Sequence, residues 1–419
     1  MKILHVNYHE NRGGAGRAVW RLHRLFLEYG MDSHLLVAEK NSSASRSYQA
    51  FSPGELRKIH LAQRLEANLN RAGSRKLHPL PRSYNFFKTS LPETINALKP
   101  DVVIYHWMNG AMLAIEQFPQ LSVPALWLLH DCWAFCGAEH YMKWNDDAFA
   151  KGYGVKLDLD TLTFKRKQKA WKNWNIPVVA SSQWMAQQCR KSILLGEHQI
   201  LSGKIPFPAD LFSPMENREN IRKIFGFPKD KKIIFFGALD LAYKDIKGAD
   251  LLLKALSELD PEIADNCVCV LCGGSTPVDL PLPVYFAGFI TDDNLLRALY
   301  QAVDVVVCPS RQEAFGQIAL EASACGTPVA AFAGTGHDST IIHKETGYLA
   351  KMEDYVDLAR GISYLLEKDN CKIGSAAQTF VHDTFAPAQI AVQWQGILES
   401  VVESKISEVR GGNYQELCK

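Results

Sequence analysis

Pro309-Ser310-Arg311-Gln312-Glu313-Ala314-Phe315-Gly316-Gln317-Ile318-Ala319-Leu320-Glu321 is the stretch that decides how this chain is read. The apolar run Val305–Cys308 before it has the composition of a buried strand, and Ile318–Ala324 has helical periodicity. A strand-to-helix crossing of this kind sits at the carboxyl edge of an open α/β sheet, where ligands collect. The first helical turn offers unpaired backbone N–H groups, which attract phosphate, and Gly316 lets a ligand approach the backbone closely. Glu313 stands just ahead of the helix, while Glu321 lies inside it with its side chain tilted towards the N-terminus. Carboxylates repel phosphate and accept hydrogen bonds from neutral hydroxyls. Two of them astride an anion site therefore suit a sugar on one side and a ribose on the other. Alone, the spacing is better read as a pair of exposed helix carboxylates, and the rest of the chain has to overturn that.

The same alternation recurs to either side. Upstream, Lys2–Tyr8, His34–Ala38, Asp101–His106, Ala125–His130 and Pro177–Ala180 read as strands, with helical period at Arg17–Tyr29. A second series begins at Lys231–Phe236 and continues through Val268–Cys272, Val284–Ala287, Val305–Cys308 and Val329–Phe332. Helices are expected at Gly248–Leu259, Thr291–Ala302, Ile318–Ala324 and Tyr355–Leu366. Between the two series, Pro206, Pro208 and Pro214 interrupt periodicity and mark a hinge linker. The reading is α/β, with two Rossmann-like doubly wound domains: 1–205, then 206–386. A last helix from about Pro387 to Val409 opens the segment 387–419, read as crossing back towards the N-terminal domain, with a frayed tail from Gly411-Gly412-Asn413.

Composition narrows the function classes. The chain has 419 residues, enough for two cores, with 47% hydrophobic and 22% charged content. Lys and Arg number 46 against 45 Asp and Glu, a net charge of +1, so no global field draws nucleic acid or an anionic surface. The 10 cysteines follow no framework spacing; Cys267, Cys269 and Cys272 sit in an apolar run as small buried hydrophobes. A reducing cytoplasm fits this pattern. The opening Met1–Asn7 reads as a strand rather than a leader, and no window approaches the roughly 18 apolar residues of a membrane span.

Four further landmarks fall in order around the first: Gly13-Gly14-Ala15-Gly16-Arg17-Ala18, His130-Asp131-Cys132-Trp133-Ala134-Phe135, Lys247-Gly248 and Thr346-Gly347-Tyr348-Leu349. With them, the stretch resembles the E-x7-E motif of retaining GT-B glycosyltransferases, specifically glycosyltransferase family 4, over nearly the whole chain. That resemblance implies two domains facing across a cleft, with the acceptor on the N-terminal domain and a UDP- or GDP-sugar chiefly on the C-terminal one. It implies that Glu313 binds hydroxyls of the transferred sugar, that Glu321 binds the ribose, and that Phe315, Gly316 and Gln317 lie near sugar and diphosphate. Lys247 would neutralise the leaving diphosphate, so that neither a metal nor another cofactor is required. Gly14 and Gly16 would give room to donor phosphate or acceptor. His130 would hydrogen-bond sugar or acceptor, and Asp131 would orient His130 or the acceptor hydroxyl. The acceptor expected is a glycan or lipid-linked hydroxyl, in cell-surface polysaccharide assembly at the cytoplasmic face of the membrane.

Several residues keep two readings. Many relatives carry Arg after the glycine where this chain has Gly237-Ala238; Lys244 would replace that cation or is a solvated loop lysine. The missing Arg leaves room for a catalytically weakened protein that binds a glycan or partner enzyme, and an epimerase of the same fold is a further alternative. Trp133 and Phe135 form a sugar-stacking wall or pack in the core. His130, Cys132, Cys136 and His140 fit no standard zinc spacing. Gly13–Gly16 with Glu39 is a weak dinucleotide signature that lacks the Lys-Ser/Thr of a P-loop. Gly334–Asp338 is a sugar-binding loop or a structural turn. The basic aromatic segment Lys165–Trp174 rests on anionic lipid or is a solvated helix face.

Overall fold

A computed structural model describes residues 1–72, 81–121, 123–142, 147–155, 157–208, 210–214, 218–237, 244–273, 280–290, 292–367 and 370–416, with backbone alone for 244, 245, 370 and 405–416. The chain divides into two compact units. One comprises Met1–Ser181, Met185–Pro206 and the helix from Ala388; the other comprises Ser182–Trp184 and Phe207–Pro387.

In the first unit the strands are β1 (Lys2–His9), β2 (Asp32–Glu39), β3 (Ser47–Gln49), β4 (Val102–Tyr105), β5 (Ala125–Leu129), β6 (Val178–Ala180) and β7 (Ile200–Ser202). They form one sheet in the order β3-β2-β1-β4-β5-β6-β7, and every pairing is parallel. Central parallel strands are covered on both faces, which is why they read as unbroken apolar runs: all four residues of Val102–Tyr105 are buried. The order turns back between β1 and β4, and the loops leaving those two strands open the crevice where such folds bind ligands. The C-terminal helix Pro387–Glu416 belongs to this unit through Trp394, which is fully buried. Its Nε1–H donates to the Lys204 carbonyl at 2.9 Å. This helix runs through Gly411 and Gly412 rather than fraying there; a glycine costs a helix only about 1 kcal/mol against alanine.

The second unit holds β8 (Lys232–Gly237), β9 (Cys267–Cys272), β10 (Val284–Gly288), β11 (Val305–Cys308), β12 (Val329–Phe332) and β13 (Gly347–Ala350), in the order β10-β9-β8-β11-β12-β13. These pairings are parallel too. The core under this sheet gathers Ile234, Phe236, Val305, Val307, Ala330 and Phe332 with Leu251, Leu252 and Ile362 from the helices. Each such side chain contributes about 1.5–3 kcal/mol by leaving water. Here the order turns back between β8 and β11, so the carboxyl ends of these two strands, at Gly237 and Cys308, lie at the switch point. The short edge strands β3, β7 and β13 were not expected from the sequence.

Candidate active site

The candidate side chains fall into two groups, one per unit. In the second unit, the segment after β11 runs along the turn that starts the helix Ala249–Ser257, and the Arg311 N–H donates to the Ile246 carbonyl at 2.8 Å. Gly248 makes that contact feasible: its φ is +72°, and a Cβ there would fall 1.8 Å from the Pro309 carbonyl oxygen. Lys247 is thereby set opposite Glu313, Nζ to Oε2 at 2.9 Å, with side-chain exposures of 30% and 20%. Burial opposes ionisation of Glu313, yet the Lys247 ammonium and the Phe315 N–H hold its carboxyl below the ordinary carboxylate value. The arrangement is a charged pair with both heads still reachable from solvent.

Gly316 follows in the left-handed region and caps the helix Gln317–Ala324 without a side-chain acceptor, so its first N–H groups point out bare. A Cβ on Gly316 would also lie 2.5 Å from His337 Nδ1. Phe315 is 3% exposed and packs edge-on against Phe385, which leaves only its backbone to face a ligand. Glu321 is 2% exposed and accepts the Tyr300 O–H at 3.0 Å. Behind the loop, Arg311 grips both carboxylate oxygens of Asp250 at 2.8 and 2.7 Å and also pairs with Glu353. That fork anchors the segment carrying Glu313, and no local signal in the sequence announced it. Gly334–Asp338 follows β12; the Gly336 N–H donates to the Glu313 carbonyl at 2.8 Å, so this turn supports the loop. Lys244 opens the single turn Lys244–Lys247, with its side chain outside the described residues, as Ala238 is altogether.

In the first unit, Gly14 lies exposed at the start of the helix Gly13–Glu28, and a Cβ there would meet nothing within 4 Å. Gly16 is closer packed, its Cβ position 3.1 Å from the Asn11 backbone. Glu39, the acidic residue of the dinucleotide alternative, is tied to Tyr8 at 3.3 Å, His9 at 3.1 Å and His60 at 3.1 Å. His130 follows β5 and is bonded through Nε2 to His106 Nδ1 at 3.0 Å; His106 Nε2 meets His5 Nδ1 at 3.0 Å. Asp131 does not orient His130. Its carboxylate accepts from Trp107 Nε1 at 2.8 Å, His140 Nδ1 at 2.6 Å and the Trp133 N–H at 2.9 Å. Burial resists the charge on Asp131, and these donors, His140 foremost, outweigh it and keep the carboxyl low.

Trp133 and Phe135 correct the expected stacking wall. Both are fully buried. Trp133 packs among Phe118, Trp127 and Trp171, and donates its Nε1–H to Ser83 at 2.8 Å. Beneath it lies Lys167, fully buried, its ammonium 3.5 Å from the Trp133 ring and bonded to the carbonyls of Trp133, Cys136 and Gly137. Arg166 pairs with Glu116 at 2.8 Å, and Trp171 is 4% exposed. Within Lys165–Trp174, then, Lys165, Lys169 and Lys172 face water, while Lys167 and Trp171 face the core. Cys132, Cys136 and His140 are buried, and among the described residues no group of three or more His, Cys, Asp or Glu is placed to hold a metal ion. Nor is any helix there long and apolar enough to cross a membrane.

Residues 217–379, which carry Lys247, Glu313 and Glu321, match the family described as Glycosyl transferases group 1. Among curated proteins, the chain is 30% identical over 217 residues to a D-inositol 3-phosphate glycosyltransferase of Corynebacterium aurimucosum, covering 48% of this chain and 51% of the relative. It is 37% identical over 138 residues to that of Salinispora tropica, covering 29% of each. The chain thus spans about half, or less, of the curated relatives it matches. Among solved structures, sucrose-phosphate synthase from Thermosynechococcus elongatus superposes with a TM-score of 0.68 at 19% identity, over 96% of this chain and 100% of that one. HepE from Anabaena, solved in complex with UDP and glucose, gives 0.66 at 17% identity over the same shares. At such identities the likeness establishes the fold, which is GT-B.

Proposed function

We propose that this chain is a glycosyltransferase, a reading supported by the match of residues 217–379 to the family described as Glycosyl transferases group 1 and by the GT-B fold. It moves a sugar from a UDP- or GDP-sugar to a hydroxyl of a glycan or lipid-linked acceptor, with retention at the anomeric carbon and without a metal. The observation that carries this reading is the Lys247–Glu313 pair beside the uncapped start of the helix Gln317–Ala324. A diphosphate seated on those N–H groups brings its charge against Lys247 and frees Glu313 to accept from sugar hydroxyls. As the bond between anomeric carbon and phosphate oxygen breaks, negative charge builds on the diphosphate, and the fixed ammonium stabilises it. The acceptor oxygen adds to the same face of the sugar, its proton passing to the departing phosphate oxygen. Glu321 takes the ribose; His130 hydrogen-bonds sugar or acceptor, and Gly14 and Gly16 give room to donor phosphate or acceptor.

A place in cell-surface polysaccharide synthesis at the inner membrane face goes with a lipid-linked acceptor. Leu61, Leu65 and Leu69 support it: they are 58%, 47% and 43% exposed on the helix Pro53–Ala72. Exposed Arg57, Lys58, Arg64 and Arg71 flank them, a face suited to anionic lipid. The deciding experiment is a thermal-shift and hydrolysis screen against UDP- and GDP-sugars with EDTA present. The reading expects one donor to stabilise the protein and to be slowly hydrolysed, with hydrolysis lost in Glu313→Ala. No shift and no turnover with any donor would sink it.

A further inference from the structure

Three imidazoles run from the edge of the first unit's sheet into its core. His5 lies within β1, His106 follows β4 and His130 follows β5, so three adjacent strands each supply one ring. The rings lie edge to edge with their planes within 25° of each other, centroids 5.2 Å apart for His5 and His106 and 5.3 Å apart for His106 and His130. Two hydrogen bonds of 3.0 Å join them, His5 Nδ1 to His106 Nε2 and His106 Nδ1 to His130 Nε2. The frame around them is fixed: the His106 carbonyl accepts from Trp127 Nε1 at 3.0 Å, and the Trp107 N–H donates to Asn7 Oδ1 at 2.9 Å.

A neutral imidazole has one N–H and one bare nitrogen. Two shared bonds among three neutral rings therefore allow only two proton orders, and in each the two ends of the chain are opposite. If His130 Nδ1 carries a proton, His5 Nε2 is bare; if His130 Nδ1 is bare, His5 Nε2 carries the proton. The inner end is the one the protein constrains. His5 is fully buried against Phe26 and His23, and its Nε2 has no hydrogen-bond partner. Buried N–H groups without an acceptor are rarer in proteins than unfilled acceptors, so the bare form of His5 Nε2 is the one that fits. At the outer end, His130 is only partly buried, and its Nδ1 makes no hydrogen bond among the described residues.

We propose that His5 and His106 are positioning residues that lock His130 as the Nδ1–H tautomer, so that it presents a hydrogen-bond donor, and not a base, at the strand edge. The order is His5 Nδ1–H to His106 Nε2, then His106 Nδ1–H to His130 Nε2. Burial keeps all three rings neutral, with His130 pulled down to about 4, so the order persists through the physiological range. If the transferase reading holds, on which only this last step rests, the Nδ1–H of His130 donates to an oxygen of the sugar or phosphate.

The test is 15N NMR of the full-length protein labelled at histidine, with the His130 signals assigned by loss in His130→Asn. The expected result is a protonated Nδ1 and a bare Nε2 at His130. In His5→Phe, which keeps the ring's bulk and removes its donor, the Nδ1–H signal of His130 is lost to a mixture of tautomers. In His5→Asn, whose amide N–H replaces the donor, it returns. His106→Leu removes the immediate donor and gives the same loss, which covers the case in which His5→Phe does not fold. A protonated Nε2 at His130 in the unsubstituted protein, or an unchanged His130 in both His5→Phe and His106→Leu, would overturn the proposal. Titration of the same sample with UDP-glucose and GDP-mannose separates the two readings. Failure of both to bind counts against the transferase alone and leaves the tautomer result standing.

Discussion

The ammonium of Lys247 stands 2.9 Å from Oε2 of Glu313, and the two loops that carry them are stitched by a backbone bond from Arg311 to Ile246. A pair of this kind fixes a cation beside the start of the helix Gln317–Ala324. Its removal has a signature in stability as well as in activity. The Glu313 carboxyl titrates near 4.5 when unperturbed and lower in the folded chain, because the Lys247 charge offsets its burial. The pair's contribution is therefore present above pH 4.5 and lost as pH falls through the lower, folded-state value. Lys247→Met is expected to cost about 1–2 kcal/mol at pH 7, a half-screened pair being worth less than a fully buried one. Urea melts should show that gap closing as pH falls below 4.5. Donor hydrolysis is expected to fall by about 10²–10³, the scale set by loss of one charge-stabilising group. A variant as active as the parent would remove Lys247 from the chemistry.

Gly316 is held twice over, by a φ of +94° and by His337 Nδ1 at 2.5 Å from the position of a Cβ. Gly316→Ala should therefore destabilise by about 2–5 kcal/mol, the sum of left-handed backbone strain and overpacking. The two causes separate in a double-mutant cycle. His337→Ala opens the space beside Gly316, so the double variant should recover the overpacking share of about 1–3 kcal/mol and keep the backbone share. Strict additivity in denaturant midpoints would mean that the His337 ring is not what excludes a side chain.

Some of this was legible in the sequence and some was not, for a physical reason. Strand and helix periods, the bare helix start at Gly316 and the Lys247-Gly248 turn are local, written in residues that follow one another. Trp133 lies within a motif, yet whether its ring faces a sugar or the core depends on Phe118, Trp171 and Lys167, which the chain brings in from elsewhere. His5 and His106 were silent for the same reason. They stand 101 residues apart and become partners only because β1 and β4 pair side by side. The grip of Arg311 on Asp250, 61 residues away, is another product of the sheet order.

Lys167 yields a prediction with the same pH sign as the Lys247–Glu313 pair, in a more alkaline window. Burial pulls its ammonium from 10.5 down to about 7, against the help of the nearby negative groups. The unfolded chain then binds this proton more tightly than the folded one between pH 7 and 10.5, so folding gains stability as pH rises across that window. Wild type should gain on Lys167→Met between pH 7 and pH 9 in paired urea melts. At both pH values the variant is expected to loosen the segment Trp133–Gly137, whose carbonyls the amine holds, read as faster amide exchange there. A gap that shrinks with rising pH would contradict the burial assigned to this lysine.

The lipid-facing part of the functional reading turns on which surface meets the bilayer, and two are available. Lys165, Lys169 and Lys172 are exposed on the segment that the sequence offered as either a lipid contact or a solvated helix face, but Trp171 beside them is turned inwards. Charge without apolar surface holds a protein to anionic lipid only through about 1 kcal/mol per basic residue, and salt screens it. The face of Leu61, Leu65 and Leu69 offers both, since each leucine that enters the acyl boundary adds about 1.5 kcal/mol or more that salt does not weaken. In flotation with vesicles rich in phosphatidylglycerol, Leu61→Asn with Leu65→Asn is expected to weaken binding about 100-fold, the equivalent of roughly 3 kcal/mol. Lys165→Ser with Lys169→Ser should weaken it about tenfold or less, and only at low salt. Should the lysine pair abolish binding while the leucine pair leaves it intact, the contact belongs to the Lys165–Trp174 segment. Should the unsubstituted protein not float, the acceptor is met in solution and the lipid-linked reading falls with it.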